Sequence, residues 1–246
     1  MNFTKYLEDK KAIQGEVFKY LDKKDDENFE SLSNLLNQHK LRDNPKELKL
    51  FFNLLVNISN NYSHGTNFYA KLFRILQDYK SEISKYYTNM EIFEIFGSNK
   101  RLLLYFIDEH LILLERDIIL KIVSYKNIKL HYHWYFQPEI KPFIQNPWFP
   151  KKSENYWVSD LEKPLPKDFE ENRRIGENES LICKIIRNDS ISEFISYVKE
   201  NHFSLNSIVS ASIYETNIYL IKTEEEPCNS ILSLLSYSAY FGSIQI

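Results

Sequence analysis

Glycine is scarce, with five residues in 246. A backbone cradle for phosphate needs clustered glycines so that amides can approach the ligand, and neither a G-x-G-x-x-G nor a phosphate loop is present. Sandwiches and barrels punctuate their strands with Gly and Pro turns about every 8–12 residues, so this composition also argues against an all-β fold. The two cysteines, Cys183 and Cys228, cannot make a disulfide framework. Cys183 falls inside an amphipathic helical pattern, where a buried thiol is the plain expectation. The longest apolar run lies near Leu102–Ile107, much too short to span a bilayer. The N-terminal MNFTKYLEDKK has no apolar core of a secretory signal. Charge of one sign is missing too: Lys and Arg number 31 against 34 Asp and Glu, a net charge of −3. Basic and acidic residues interleave, leaving no electrostatic footprint for nucleic acid or an anionic membrane. The expectation is an intracellular, cytoplasmic chain with no membrane insertion.

What is present is apolar bulk at helical spacing. Hydrophobic residues make up 43% and aromatics 15%, ample for a core. Tyr6, Ile13, Val17 and Leu21 recur on one helical face, and Phe29, Leu32, Leu35 and Leu36 mark a second helix beyond KKDDEN. Asn44 caps a third, with Pro45 at its first position, where a missing amide hydrogen matters least. Leu48, Phe51, Phe52, Leu55 and Ile58 give that helix its buried face. After the turn cluster Asn60–Gly65, Thr66 opens a long helix carrying Phe68, Leu72, Ile75, Leu76, Tyr79, Ile83 and Tyr86. Thr88 and Glu91 form a capping box ahead of a short helix that Gly97 stops. Ser98 opens the next, through Leu103 and Phe106, and Arg116–Val123 is one more.

The middle, 126–177, changes character. Six of the eight prolines and all three tryptophans lie between Tyr125 and Gly176. Proline this dense forbids long helices, yet the aromatics are too many for a solvated linker. The expectation is an ordered connector of short turns between a helical domain, 1–125, and a C-terminal part, 178–246. The last part begins with NESLICKIIRNDSISEFISYVKEN, which reads as two short antiparallel helices. Leu181, Ile182, Ile185 and Ile186 stripe the first; Ile191, Phe194, Ile195 and Val198 stripe the second, which starts at a Ser190–Glu193 capping box. A pair this short cannot bury both stripes alone and must lean on neighbours, which is the physics of a helical repeat. Thr88–His110 has a similar outline. Ser204–Ile208 and Ile218–Ile221 read as short extended segments, and Ile231–Phe241 as a final helix.

SLLSYSAYFG, from Ser233, resembles the T-P-L-H-x-A-A-x-x-G core of an ankyrin repeat, with Ala239 and Gly242 at matching positions. With NKRLLLYFIDEHLI from Asn99, YHWYFQPEI from Tyr132, RRIGENESLICKIIRNDSISEFISYV from Arg173, SIYETNIYLIK from Ser212 and AYFGSIQI from Ala239, the chain from Thr88 onward resembles protist ankyrin-repeat proteins that carry a helical leader of the DUF3447 type. The resemblance implies an all-α fold, protein binding and no known enzymatic activity. The chain departs from that family where Asp189 replaces the repeat's glycine, and the interval to Gly242 far exceeds one repeat of about 33 residues. An ending at Ile246, inside a hairpin, leads us to expect a fragment or shortened paralogue that leaves Ile244 and Ile246 uncovered.

Residues that invite chemistry have plainer readings. His131-x-His133 supplies two imidazoles on one face of a strand, but a metal site needs a third ligand, and none lies near before Glu139. The aromatics Trp134–Trp157 suit a recognition surface, although core packing is the simpler role. Lys151-Lys152 and Arg173-Arg174 are too brief to grip a phosphate backbone and read as solvated. Asp25–Glu27 and Glu224–Glu226 read as exposed loop charge. The sequence therefore points to an all-α, helical-hairpin solenoid with an ankyrin-like C-terminal part. It reads as a non-catalytic protein-interaction module whose partner is another protein, with no cofactor. A leader or cap for a longer ankyrin array is the alternative, and a metal-dependent enzyme using His131 and His133 is a remote one.

Overall fold

The structure, a computed structural model, describes residues 3–22, 28–61, 67–124, 127, 130–153, 155–217, 220 and 232–243. Among these residues the fold is all-α, without a strand. The chain divides into two compact units, Met1–Ser98 with Asp108–Ile112, and Asn99–Ile107 with Leu113–Ile246.

The first unit contains α1 (Phe3–Asp22), α2 (Phe29–Gln38), α3 (Pro45–Asn61), α4 (Phe68–Asp78), α5 (Lys80–Tyr86) and α6 (Asn89–Phe96). α1 packs on α2 and α4, and α3 packs on α6. The expected stripes are buried at Ile13, Val17 and Leu21 on α1, where Tyr6 is only half-buried, and at Leu48, Phe51, Phe52, Leu55 and Ile58 on α3. The helix starts form as their residue types require. Asn44 Oδ1 accepts from the Glu47 amide at 3.3 Å. Thr88 Oγ1 accepts from the Glu91 amide while Glu91 Oε2 accepts from the Thr88 amide, so two orphan donors are satisfied reciprocally. Gly97 ends α6 where a Cβ would lie 2.4 Å from the Phe93 carbonyl oxygen.

One expected element differs. The single long helix after Thr66 is two, α4 and α5, broken at Tyr79, whose amide turns back to Leu76 O at 3.0 Å. At the break Arg42 Nη1 donates to the Asp78 carbonyl oxygen at 2.7 Å, and the Tyr79 ring is buried against Phe51 and Phe52. Thr66, most of the Asn60–Gly65 turn cluster and Asp25–Glu27 lie outside the described residues.

The second unit holds α7 (Lys100–Asp108, all but its last residue) and α8 (Arg116–Ile122). Asn99, not Ser98, caps α7, its Oδ1 accepting from the amides of Arg101 and Leu102 at 3.0 Å. The Pro- and aromatic-rich stretch is a chain of short turns. It comprises α9 (Tyr132–Tyr135), α10 (Gln137–Ile140), 3-10 turns at Lys141–Phe143 and Tyr156–Glu162, and then α11 (Phe169–Ile175). Tyr132, Tyr135, Phe136, Phe149 and Trp157 are buried, so most of these aromatics are core. α12 (Leu181–Arg187), α13 (Ile191–Asn201) and α14 (Leu234–Phe241) follow, with α12 packed on both of the others. α14 starts at Leu234 rather than Ile231, because the Ser233 hydroxyl accepts from the Ser236 amide at 3.1 Å and fixes the first turn there.

Candidate functional site

The hairpins α12–α13–α14 and the strap between α13 and α14 are the part of the second unit whose surface and interior both depart from ordinary helix packing. α12 and α13 are joined by a Schellman turn. The Asp189 amide bonds Ile186 O at 3.0 Å, the Ser190 amide bonds Ile185 O at 3.3 Å, and Asp189 takes the left-handed conformation with φ +49°. Closing α12 this way leaves Ser190 at ψ 87°, and its side chain makes no cap bond. The expected Ser190–Glu193 box is therefore not formed. The four-residue stripe expected on α13 is also only partly buried. Phe194 joins a core with Ile182, Cys183, Ile185, Ile186, Leu234 and Tyr237, and Val198 packs at its margin. Ile191 and Ile195 remain 42% and 45% exposed, and Leu181, Leu205, Ile208 and Leu235 are exposed as well.

The strap, Phe203–Asn217, has no regular structure apart from an antiparallel bridge between Ile208 and Ser233. Of the two expected extended segments, Ser204–Ile208 is instead a turn closed by the Ser207 amide on Ser204 O, and three residues of the other lie outside the described residues. The base of the strap, Ser212–Asn217, is nevertheless buried except for Ile213. Irregular backbone away from water must find polar partners, and here side chains supply them. Lys100 Nζ donates to Ile213 O at 2.9 Å and Leu130 O at 3.3 Å. The Glu215 carboxylate accepts from the amides of Asn217 at 2.9 Å and Asn178 at 3.3 Å. Asn178 Nδ2 donates to Ser210 O, and the Ser212 hydroxyl donates to Glu179. Gly176, left-handed at φ +75° as it ends α11, offers its carbonyl to both the amide and the hydroxyl of Thr216. A Cβ there would meet the Thr216 methyl at 3.1 Å.

The electrostatics follow from enclosure. Burial pushes the Glu215 carboxyl up to about 7 and the Lys100 ammonium down to about 7. Arg187, inside the same cluster, bonds Glu177 at 2.8 Å and the Tyr237 hydroxyl at 2.6 Å. Burial raises the Tyr237 phenol and the Cys183 thiol above their ordinary values. Such a cluster can fix a loop.

The sequence-level candidates fall elsewhere. His131 starts α9 in the left-handed conformation, and His133 is buried with Nε2 3.8 Å from Asp160 Oδ2. Burial, then the neighbouring His131, lowers the His133 imidazole to about 4. Among the described residues no group of three His, Cys, Asp or Glu is placed to hold a metal. Lys151 and Lys152 are exposed, as expected. Arg173 is not: it is 4% exposed, with Nη1 on both oxygens of Glu139 at 2.8 Å and Nη2 on Glu170 at 2.9 Å. Cys228 and Glu224–Glu226 lie outside the described residues. Sequence reasoning did not single out Lys100, Glu177, Arg187 or Glu215. Lys100 had a signal, since it opens the apolar row Lys100–Leu103–Leu104–Ile107 of α7; Glu215 had none.

The class these observations define is an all-helical protein, with no described helix long and apolar enough to cross a membrane. Compared with family models, curated proteins and solved structures, the chain matches none.

Proposed function

We propose that this chain is a non-catalytic protein-interaction module built from stacked helical hairpins of ankyrin type, and that its partner is another protein. The observation that carries the reading is the half-covered stripe of α13. Ile191 and Ile195, at i and i+4, stand 42% and 45% exposed beside buried Phe194. One-sided apolar helices in stacked repeats are completed by a neighbouring element. Three local features support the ankyrin resemblance. Asp189 is left-handed where the repeat has glycine, Gly242 ends α14 left-handed at φ +64°, and Ser233 caps α14 within the segment that resembles the repeat core. Capping a longer ankyrin array is the second reading, since the next hairpin of an array would cover the same stripe.

Affinity capture with the full chain and with an Ile191→Ser/Ile195→Ser double variant tests the proposal. The expected result is a protein retained by the parent and lost by the variant, with binding reproduced from the two purified components and helical content unchanged. Equal capture by both proteins would sink it. Capture of nothing, with a gain in stability when a consensus repeat is appended after the chain, would favour the cap.

A further inference from the structure

Lys100 and Glu215 are enclosed at the base of the strap, 1% and 3% exposed, and they hold it by different means. Lys100 bonds the carbonyl of Ile213, and Glu215 bonds the amides of Asn217 and Asn178 across to the loop after α11. They share no hydrogen bond with each other. An enclosed ion without a direct counter-ion is strongly penalised relative to its solvated form, and it relieves that penalty by losing its charge. For Glu215 this requires acid; for Lys100 it requires alkali. The ionisable groups facing Glu215 are Lys100 from α7, Glu177 from the loop after α11, Cys183 and Arg187 from α12, and Tyr237 from α14. Lys100 also faces the Tyr135 ring, 5.3 Å away, and His133.

We infer that Lys100 and Glu215 form a proton-operated latch on the strap Phe203–Asn217, which opens most readily near neutral pH and tightens on acidification and on alkalinisation. In the open strap both groups meet water and regain ordinary affinities, 4.5 for the carboxyl and 10.5 for the ammonium. Glu215 binds its proton more tightly in the closed form, so its contribution to closure is full below 4.5 and is lost as pH rises through about 7. Lys100 binds its proton less tightly in the closed form, so its contribution is full above 10.5 and is lost as pH falls through about 7. The two contributions leave closure weakest where they cross.

The test is amide hydrogen exchange read by mass spectrometry on the full chain at pH 5, 7 and 9, corrected for the intrinsic pH dependence of exchange. Strap peptides are expected to be least protected at pH 7, with protection rising on the order of tenfold toward pH 5 and toward pH 9. Glu215→Gln is expected to flatten the acid side and Lys100→Met the alkaline side. A pH-independent strap overturns the latch. So does a profile that α12 peptides follow in step, which would mean opening of the whole unit. Should either variant fail to fold, the profile of the unmodified chain decides alone.

Discussion

In the first unit the main chain closes its hydrogen bonds inside helices; in the second, much of it must borrow side chains. Ser59, Asn60 and Lys71 are the buried polar residues described in the first unit. Lys71 Nζ donates to Tyr20 O at 2.9 Å and lies 5.2 Å from the Tyr20 ring centroid. Its other charges sit nearer water, as in Arg42 with Asp78 and Glu82 against the Tyr79 ring. The second unit encloses Lys100, His133, Gln137, Arg173, Asn178, Glu215 and Asn217. Gln137, for example, donates to both Leu161 O and Lys163 O. A helix satisfies its own backbone; a buried strap or proline-rich turn cannot. Polar residues enter the second core as fasteners of irregular chain.

The contrast can be broken first at its two strongest points. Phe52→Ala removes a ring packed on Tyr79, Tyr87 and Phe96 in the first unit. It is expected to cost about 3–5 kcal/mol in urea denaturation, through the cavity it leaves. Arg173→Met should cost a similar amount, about 3–5 kcal/mol, because Glu139 is left enclosed without its partner. If Arg173→Met proves neutral, the fastener view of the second unit is wrong.

The next effect is electrostatic. His133 has its imidazole lowered by burial, so stability linked to it is present above pH 6.5 and lost as pH falls through about 4. The loss amounts to about 3 kcal/mol. An NMR titration of its ring nitrogens should show a neutral imidazole at pH 5.5; a midpoint near 6.5 would remove this contribution.

Smaller still are the helix starts. Thr88→Ala should cost about 1 kcal/mol, whereas Ser190→Ala should change stability by less than about 0.5 kcal/mol, since only Thr88 makes its cap bond. Thermal melts of the two variants compare them directly. Smallest is Asp189→Gly, which relieves a left-handed non-glycine residue and should stabilise by a few tenths of a kcal/mol, at most about 1. A loss would indicate that the Asp189 side chain matters more than its backbone.

These effects also mark what was legible in the chain. Asn44-Pro45 and Thr88–Glu91 announced helix starts that form. Ser190–Glu193 has the letters of a capping box, but the Schellman turn that ends α12 takes the Ser190 backbone away from the geometry a cap needs. Tyr79 and Ile83 fitted one uninterrupted helical row; the break lies beside Asp78, whose carbonyl accepts from Arg42, 36 residues earlier in the chain. Arg173-Arg174 looked like one solvated pair. The structure encloses Arg173 and exposes Arg174, a distinction that depends on Glu139, 34 residues away.

The sequence by itself determined the all-α class, the faces of α1–α3 and the aromatic packing of the middle segment. Those properties are written at a spacing of three or four residues, within reach of a single helix turn. Only tertiary structure decided which charges are enclosed and that the strap is fastened from below. Lys100 meets Ile213 across 113 positions of chain, and Glu215 meets Asn178 across 37. Whether a charged residue is solvated or buried depends on such distant partners, and no local period encodes them.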